Sequence, residues 1–203
     1  EAALRSITYQ NTSGDPNTSD RTVSWLVTDS DDNSIAQTST IEISATDNQE
    51  ILATNTGMTV SENAVDQTIT DAMLKTTDVD NSAAQLVYKV TTATGNGTLK
   101  LNGVALGVND TFQQLDIDTG KITYSHDGSE TTADSFAFEV NDGIGAPTTG
   151  TFSITVTPIN DNAPIITSNG GGTTTAINVN ETISTVTTVT ASDADLPAGT
   201  ISY

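Results

Sequence analysis

Short acidic turns are the residues of this sequence whose types and spacing could do chemistry. Two turns share an Asp-x-Asp spacing, Asp78-Val79-Asp80 and Asp193-Ala194-Asp195, and a third acidic segment reads Asn160-Asp161-Asn162. Two aspartates at positions i and i+2 of a turn can direct both carboxylates at one ion, and calcium takes about six to eight oxygen ligands in a tolerant geometry. The spacing therefore suits a calcium site. The alternative is that these residues form Asx turns, which hydrogen-bond their own backbone and bind nothing.

The charge balance restricts the class of partner. The 203 residues include 26 acidic and 6 basic ones, and the net charge is -20. Nucleic-acid binding requires lysine and arginine against phosphates, so nucleic acid is excluded as a partner. Two interpretations of the acidity remain: solubility through like-charge repulsion, or carboxylate clusters that hold cations.

The remaining composition argues against catalysis and against membrane insertion. Cysteine is absent, so disulfides and thiolate metal sites are impossible. His126 is the single histidine, so a zinc site or a Ser-His-Asp triad would depend on one residue, and no acid/base pair stands out among the turn carboxylates. No apolar run approaches the roughly 20 residues that span a membrane. We therefore predict that the chain is not an enzyme and that this segment does not enter a membrane.

Alternating apolar and polar residues predict short β-strands. Runs at 121–124 and 135–140 are followed by the turns Asp127-Gly128 and Asp142-Gly143, and Asn102-Gly103 is a hairpin signal. One helical turn is expected at 71–75. Seven short strands between Gly, Asn and Asp turns are typical of a β-sandwich. The strands expected in the central part are residues 58–60, 67–69, 85–90, 97–101, 121–124, 135–140 and 151–156.

An internal repeat divides the sequence. Val60-Ser61-Glu62 matches Val179-Asn180-Glu181, and Asp78-Val79-Asp80 matches Asp193-Ala194-Asp195, at a period of about 115 residues. The period predicts one complete repeat at 47–158 between the C-terminal part of a repeat at 1–46 and the N-terminal part of the next at 159–203. The strands expected in the two partial repeats are residues 3–9, 22–27, 38–43, 177–179, 186–189 and 200–203.

Two stretches resemble known families. Residues 112–143, with Tyr124, the run His126-Asp127-Gly128-Ser129-Glu130 and Asp134-Ser135-Phe136, closely resemble the repeat of chondroitin-sulfate-proteoglycan core proteins, a relative of the cadherin repeat. Residues 158–164 resemble the cadherin linker, but Pro158 replaces its usual first Asp. Residues 3–9 and 21–25 resemble repeats of large bacterial surface or type I-secreted adhesins. The resemblance implies an all-β chain of tandem cadherin-like (Ig-like) Greek-key β-sandwiches.

The cadherin resemblance also implies two calcium sites, with calcium as the cofactor. Either Asp127 or Glu130 lies near a further acidic pair of the family. The first ligand set comprises Glu62, Asp161, Asp193 and Asp195, with the Asn160 side chain and the Asn162 carbonyl. The second comprises Asp47, Asn48, Asp78, Asp80 and Asp142.

These expectations define a non-catalytic extracellular module. We predict a calcium-stiffened stalk or spacer of a secreted cell-surface adhesin, whose partners are neighbouring repeats of the same chain, with homotypic or surface ligands bound through other domains. The alternative is a subunit of an extracellular filament or sheath. In that case the partial repeats at the two ends would be completed head-to-tail by β-strand complementation between copies.

Overall fold

The chain is built from short strands and almost no helix. The computed structural model describes residues 7–29, 31–182, 184 and 186–202. In chain order its strands are β1 (Arg21–Trp25), β2 (Gln37–Ile41), β3 (Ile51–Asn55), β4 (Met58–Ser61), β5 (Gln67–Thr68), β6 (Leu74–Thr77), β7 (Val87–Thr92), β8 (Gly97–Leu101), β9 (Val104–Ala105), β10 (Thr111–Gln113), β11 (Ile122–His126), β12 (Ala133–Asn141), β13 (Thr148–Thr157), β14 (Ile165–Ile166) and β15 (Ala191–Ser192). The expectation of an all-β fold is confirmed.

The central part is a two-sheet sandwich. One sheet has the strand order β10-β7-β12-β13-β4 and the other has the order β5-β11-β8-β9, while β3 and β6 form a separate pair. Alternation places every second residue inward: Phe136, Phe138 and Val140 of β12 are buried, and their neighbours are more exposed. They pack with Ile122 and Tyr124 of the second sheet in one hydrophobic core. The period-2 pattern therefore identified the core faces correctly.

In chain order, β4 is the first strand of the larger sheet and β13 is the last, and these two strands pair in parallel. Met58 of β4 lies opposite Ile154 of β13, and Ser61 lies opposite Thr157. Gly57 precedes β4 with φ of +73°, and a Cβ there would clash with the carbonyl oxygen of Ser153. Glycine at this position therefore lets the chain enter β4 against β13. This pairing brings the beginning of the sandwich next to its end.

The described residues include one α-helix, α1 (Gln114–Asp118), which follows β10. The carboxylate of Asp116 accepts the backbone N–H of Gln113 (3.0 Å), which caps the first turn. Buried Gln114 accepts hydrogen bonds through Oε1 from the Thr76 N–H and the Tyr88 hydroxyl, both at 2.8 Å. The sequence also predicted one helical turn at 71–75. Residues 71–73 form a turn in which the N–H groups of Met73 (2.9 Å) and Leu74 (3.0 Å) donate to the Thr70 carbonyl, and β6 begins at Leu74.

The flanking parts contain fewer strands than expected. β1 and β2 form a hairpin, and β14 pairs with β15. The strand predicted at 3–9 lies partly outside the described residues, and residues 7–9 form no strand. No strand forms at 177–179, at 186–189 or at 200–202 within the described chain. Among the described residues, no helix has both the length and the apolar character to cross a membrane.

Candidate metal centres

Carboxylates gather in two clusters, at opposite ends of β13. The upstream cluster consists of Asp47, Glu50, Asp78, Asp80 and Asp142, and the downstream cluster consists of Glu62, Glu130, Asp161 and Asp195. Oxygen atoms of Glu50, Asp78 and Asp142 lie within 4.8 Å of one another, and so do those of Glu62, Glu130 and Asp161. Carboxylates this close repel one another unless a cation or hydrogen-bond donors compensate.

Glu62 anchors the downstream cluster at the end of β4. Its backbone N–H donates to the Thr157 carbonyl (2.8 Å), and its Oε2 accepts the Ile159 N–H (3.0 Å). The parallel pairing of β4 with β13 therefore places Glu62 beside the segment that leaves the sandwich. Glu62 is 2% exposed, and its Oε1 has no hydrogen-bond partner among the residues that the structure describes.

Asp195 joins the downstream cluster through Asn162. Its Oδ1 accepts the backbone N–H groups of Asp161 (3.3 Å) and Asn162 (3.0 Å), while its buried Oδ2 has no hydrogen-bond partner in the described part of the chain. Desolvation acts to raise the pKa of Asp195, but hydrogen bonds from Asn162 and then Asp161 outweigh it, so the pKa lies below its ordinary value. The ionised carboxylate is therefore the favoured form in this cluster.

The side-chain amide of Asn162 lies among three carboxylates. Its Nδ2 donates to Asp195 Oδ1 (2.9 Å), to Asp161 Oδ1 (3.2 Å) and to Glu130 Oε1. An amide nitrogen carries only a partial positive charge, so three anionic acceptors around one NH₂ group mark a place where a full cation would be stabilised further.

Glu130 comes from the loop that follows β11. Its Oε2 accepts the Leu196 N–H (3.1 Å), which ties this loop to the chain after Asp195. Desolvation, followed by the negative charge of Glu62, raises the pKa of Glu130. Asp127, the other acidic candidate, instead accepts the Ser129 N–H (2.9 Å) within its own turn. Glu130 is therefore the acidic residue of this loop that faces the cluster.

The upstream cluster surrounds the turn after β6. Asp78 Oδ1 accepts the Asp80 N–H (2.7 Å), and Asp80 Oδ2 accepts the Asn48 N–H (2.6 Å). The other oxygens, Asp78 Oδ2 and Asp80 Oδ1, are buried and have no hydrogen-bond partner within the described ranges. Desolvation, then the charge of Asp142, raises the pKa of Asp47. Repulsion from neighbouring carboxylates thus adds to desolvation in raising the proton affinity of Asp47.

Glu50 is a member of the upstream cluster that sequence reasoning missed. It is 3% exposed, and its Oε1 accepts the Thr148 N–H (2.8 Å) at the first residue of β13. The repeat comparison aligns Glu50 with Pro164 of the other linker, so the family pattern carried no signal there. Its burial depends on the contact with β13, which the sequence alone does not reveal.

The structure places the other predicted ligands near the clusters with different roles. Asp193 Oδ1 accepts the Asp195 N–H (3.1 Å), as in an Asx turn, and Asn48 contributes its backbone N–H to Asp80. Asn160 is exposed, and its Nδ2 faces Gly199 near the Asp193 carboxylate. Asn162 directs its side-chain amide nitrogen at the acids, while the ligand role of its carbonyl stays a prediction. The Asx-turn and metal-site interpretations are therefore compatible, because one carboxylate oxygen can serve the turn and the other the ion.

The donor set fits a hard divalent cation. Both clusters offer only oxygen atoms, which calcium and magnesium prefer over softer ligands. Four of their buried carboxylate oxygens lack a hydrogen-bond partner in the described chain: Glu62 Oε1, Asp78 Oδ2, Asp80 Oδ1 and Asp195 Oδ2. Unpaired buried carboxylate oxygens are costly, so they point to a cation as the missing partner.

The fold is that of a cadherin-like domain. A family model described as cadherin-like matches residues 51–156, and the chain belongs to this family. Cadherin-like domains generally bind calcium. The fold also resembles a mouse clustered PcdhgC3 EC1-3 structure, with a TM-score of 0.50 and 17% identity over 90% of this chain and 56% of that one.

Two kinds of extracellular protein are similar in sequence. The extracellular matrix organizing protein FRAS1 of Mus musculus is 30% identical over 186 residues, which are 84% of this chain and 5% of that protein. Chondroitin sulfate proteoglycan 4 of Homo sapiens is 31% identical over 90 residues, 44% of this chain and 4% of that protein. The chain thus spans about a twentieth of the length of these relatives. The predicted extracellular location agrees with them.

Proposed function

We propose that this chain is a non-catalytic spacer of an extracellular protein, stiffened by calcium at the upstream and downstream clusters. Its role is to hold successive cadherin-like repeats in a fixed orientation, so that binding regions elsewhere in the parent protein are displayed at a distance. Neighbouring repeats of the same chain are its direct partners. Extracellular relatives and the acidic, cysteine-free composition support this role.

The four buried carboxylate oxygens without partners carry the proposal. Each belongs to a carboxylate whose other oxygen already accepts a backbone N–H, so the side chains are fixed while one oxygen of each remains available. This arrangement is prepared for an ion and is costly without one. A bound calcium would neutralise the repulsion among these acids and join segments that are distant in sequence.

The distribution of the downstream cluster over the chain supports a role in setting orientation. Glu62 and Glu130 belong to the sandwich, Asp161 to the segment that leaves it, and Asp195 to the turn beyond β15. Holding all four around one charge restrains the leaving segment against both sides. The upstream cluster would act similarly, through Asp47 before the sandwich and Asp78 and Asp142 within it.

Thermal unfolding with millimolar calcium and with a chelator tests the proposal. Ligand binding to the native state stabilises it by about 2.7 kcal/mol when the free ligand is at 100 times Kd. We expect calcium to raise the unfolding midpoint of the parent chain. Asp195→Asn combined with Glu62→Gln should remove the downstream contribution while keeping the side-chain shapes.

A matched control is Asp71→Asn. Asp71 is a surface residue paired with Lys75 (3.2 Å) outside both clusters, so its substitution removes one charge and leaves the calcium response intact. If the parent midpoint does not respond to calcium, or if Asp71→Asn weakens the response as much as the cluster substitutions do, specific binding is contradicted.

The bacterial adhesin stalk is the finer form of this proposal, and it rests on the resemblance of residues 3–9 and 21–25. The filament remains an alternative. Size-exclusion chromatography separates the two, because a spacer elutes at a fixed volume while a head-to-tail filament grows with protein concentration.

A further inference from the structure

The loop that carries Glu130 is folded around the ring of His126. This ring is 6% exposed, at the end of β11. Its Nδ1 accepts the backbone N–H of Gly128 (3.2 Å), and its Nε2 lies 3.0 Å from Thr131 Oγ1. One imidazole therefore contacts both sides of Glu130, two residues before it and one residue after it.

The geometry fixes the form of this ring. A backbone N–H can only donate, so Nδ1 accepts the Gly128 hydrogen bond and carries no proton. A neutral imidazole with an unprotonated Nδ1 has its proton on Nε2, directed at the Thr131 hydroxyl. Either the opposite tautomer or a charged ring would lose the bond to Gly128, and with it one of the two contacts that shape the loop.

The same loop supports the position of Asp161 from its other side. Asn63, in the left-handed region with φ of +60°, donates from Nδ2 to Asp161 Oδ2 (2.7 Å). Its Oδ1 occupies the place where a Cβ on Gly128 would lie, and Gly128 itself has φ of +82°. The absence of a side chain at Gly128 thus makes room for the amide that holds Asp161.

We propose that His126 and Asn63 are positioning residues of the downstream metal site. His126 folds the loop so that Glu130 faces Glu62, and Asn63, seated against Gly128, holds Asp161 beside them. Neither residue is a metal ligand. The inference rests on the proposed calcium site. It gives the His126-Asp127-Gly128 turn a role in calcium binding, whereas the sequence alone indicates only a structural turn. Partners that orient metal ligands typically change metal affinity by about 10–100-fold when they are substituted.

Calcium titration by isothermal calorimetry on the full chain tests the inference. Thr131→Val removes the hydroxyl at Nε2, and we expect at least about a tenfold weaker calcium affinity for the downstream site. Thr131→Ser keeps the hydroxyl and should restore the parent affinity. The unfolding midpoint in chelator should stay close to that of the parent, whereas a purely structural role would lower it and leave the affinity unchanged.

The role of Asn63 is tested by the same calcium titration, with an alanine substitution at a distant glycine as the control. Asn63→Gly keeps the left-handed backbone and removes the amide, so it should weaken calcium binding about tenfold or more. Gly128→Ala should do the same, because its Cβ displaces Asn63. Gly103→Ala imposes a similar backbone cost at φ of +78° with open space around it, and it should leave calcium affinity unchanged.

Nuclear magnetic resonance gives an independent readout, because His126 is the only histidine. Nδ1 of the ring should be unprotonated and Nε2 should carry the proton, with and without calcium. A proton on Nδ1, or unchanged affinity in Thr131→Val and Asn63→Gly, overturns the inference. Absence of calcium binding in the parent overturns the proposed function instead, so the two failures are distinguishable.

Discussion

At the scale of single residues, the carboxylate of Asp134 connects the two sheets. It accepts the backbone N–H groups of Gly95 (2.8 Å) and Asn96 (3.0 Å) and the hydroxyl of Tyr124 (2.8 Å). Asp134 belongs to β12 and Tyr124 to β11, while the other two residues form the turn between β7 and β8. Burial, followed by the hydrogen bond to Asp134 and its charge, raises the pKa of the Tyr124 hydroxyl.

We predict that Asp134→Ala destabilises the fold by about 2–4 kcal/mol, because it leaves several donors without an acceptor. Tyr124→Phe is the matched control and should cost about 1 kcal/mol, since it removes one of these hydrogen bonds and keeps the ring. Urea unfolding measures both. Equal costs for the two substitutions would contradict the idea that this carboxylate organises the turn.

The predictability of the site also differs from residue to residue. Asp78, Asp80 and Asp161 were predictable because their spacing is local and repeats along the chain. The membership of Glu50 and the orientation of Glu130 toward their clusters depend on how β13 and the loop after β11 pack. Packing of this kind is tertiary information. Spacing in sequence could identify the turns but could not tell which oxygen of each carboxylate the backbone already occupies.

At the scale of elements, period-2 patterns identified the strands that have one face buried in the core and the other exposed to solvent. The Asn102-Gly103 hairpin between β8 and β9 was predictable for the same local reason, since both residues adopt positive φ. Helix α1 was not, because its five residues are stabilised by the cap from Asp116 and the buried contacts of Gln114. The strands expected at 177–179 and 186–189 did not form, and their valines are exposed. A strand requires a neighbour, and a sequence pattern alone does not supply one.

The entry into β4 gives a prediction at this scale. Gly57→Ala should destabilise the sandwich by about 2–4 kcal/mol, because the left-handed backbone is unfavourable and the new Cβ meets the backbone of β13. Gly103→Ala has the same backbone cost without the clash and should lose only about 1–2 kcal/mol. Denaturant unfolding compares them. If the two alanine variants are equally stable, the close approach of β4 to β13 is not a constraint on the fold.

At the scale of the whole molecule, like-charge repulsion from the net charge of -20 opposes compact arrangements of the linkers. Repulsion between the clustered acids is screened only beyond about 10 Å in 0.1 M salt, so the carboxylates within each cluster still interact strongly. A bound calcium ion would neutralise this repulsion at the short distances within a cluster, where dissolved salt does not screen it. The composition alone predicted the excess of acidic charge. That the downstream cluster combines residues from separate segments became visible only in the fold.

Small-angle X-ray scattering provides the corresponding prediction. Removing calcium with a chelator should change the scattering profile of the parent chain toward that of a flexible one, with a larger spread of end-to-end distances. The double variant Asp78→Asn/Asp80→Asn should show part of this change even with calcium present, while Asp71→Asn should not. Identical profiles with calcium and with chelator would contradict stiffening, even if calcium binds.

The parallel pairing of β4 with β13 has a mechanical consequence. Tension applied through the two linkers pulls β4 toward its N-terminal end and β13 toward its C-terminal end, in opposite directions along one shared ladder. Its hydrogen bonds are then loaded together in shear, and they cannot open one after another as in a zipper. Both acidic clusters lie at the ends of this load path, since Thr148 contacts Glu50 and Thr157 contacts Glu62. We therefore expect the sandwich to resist tension best along the direction of these two strands.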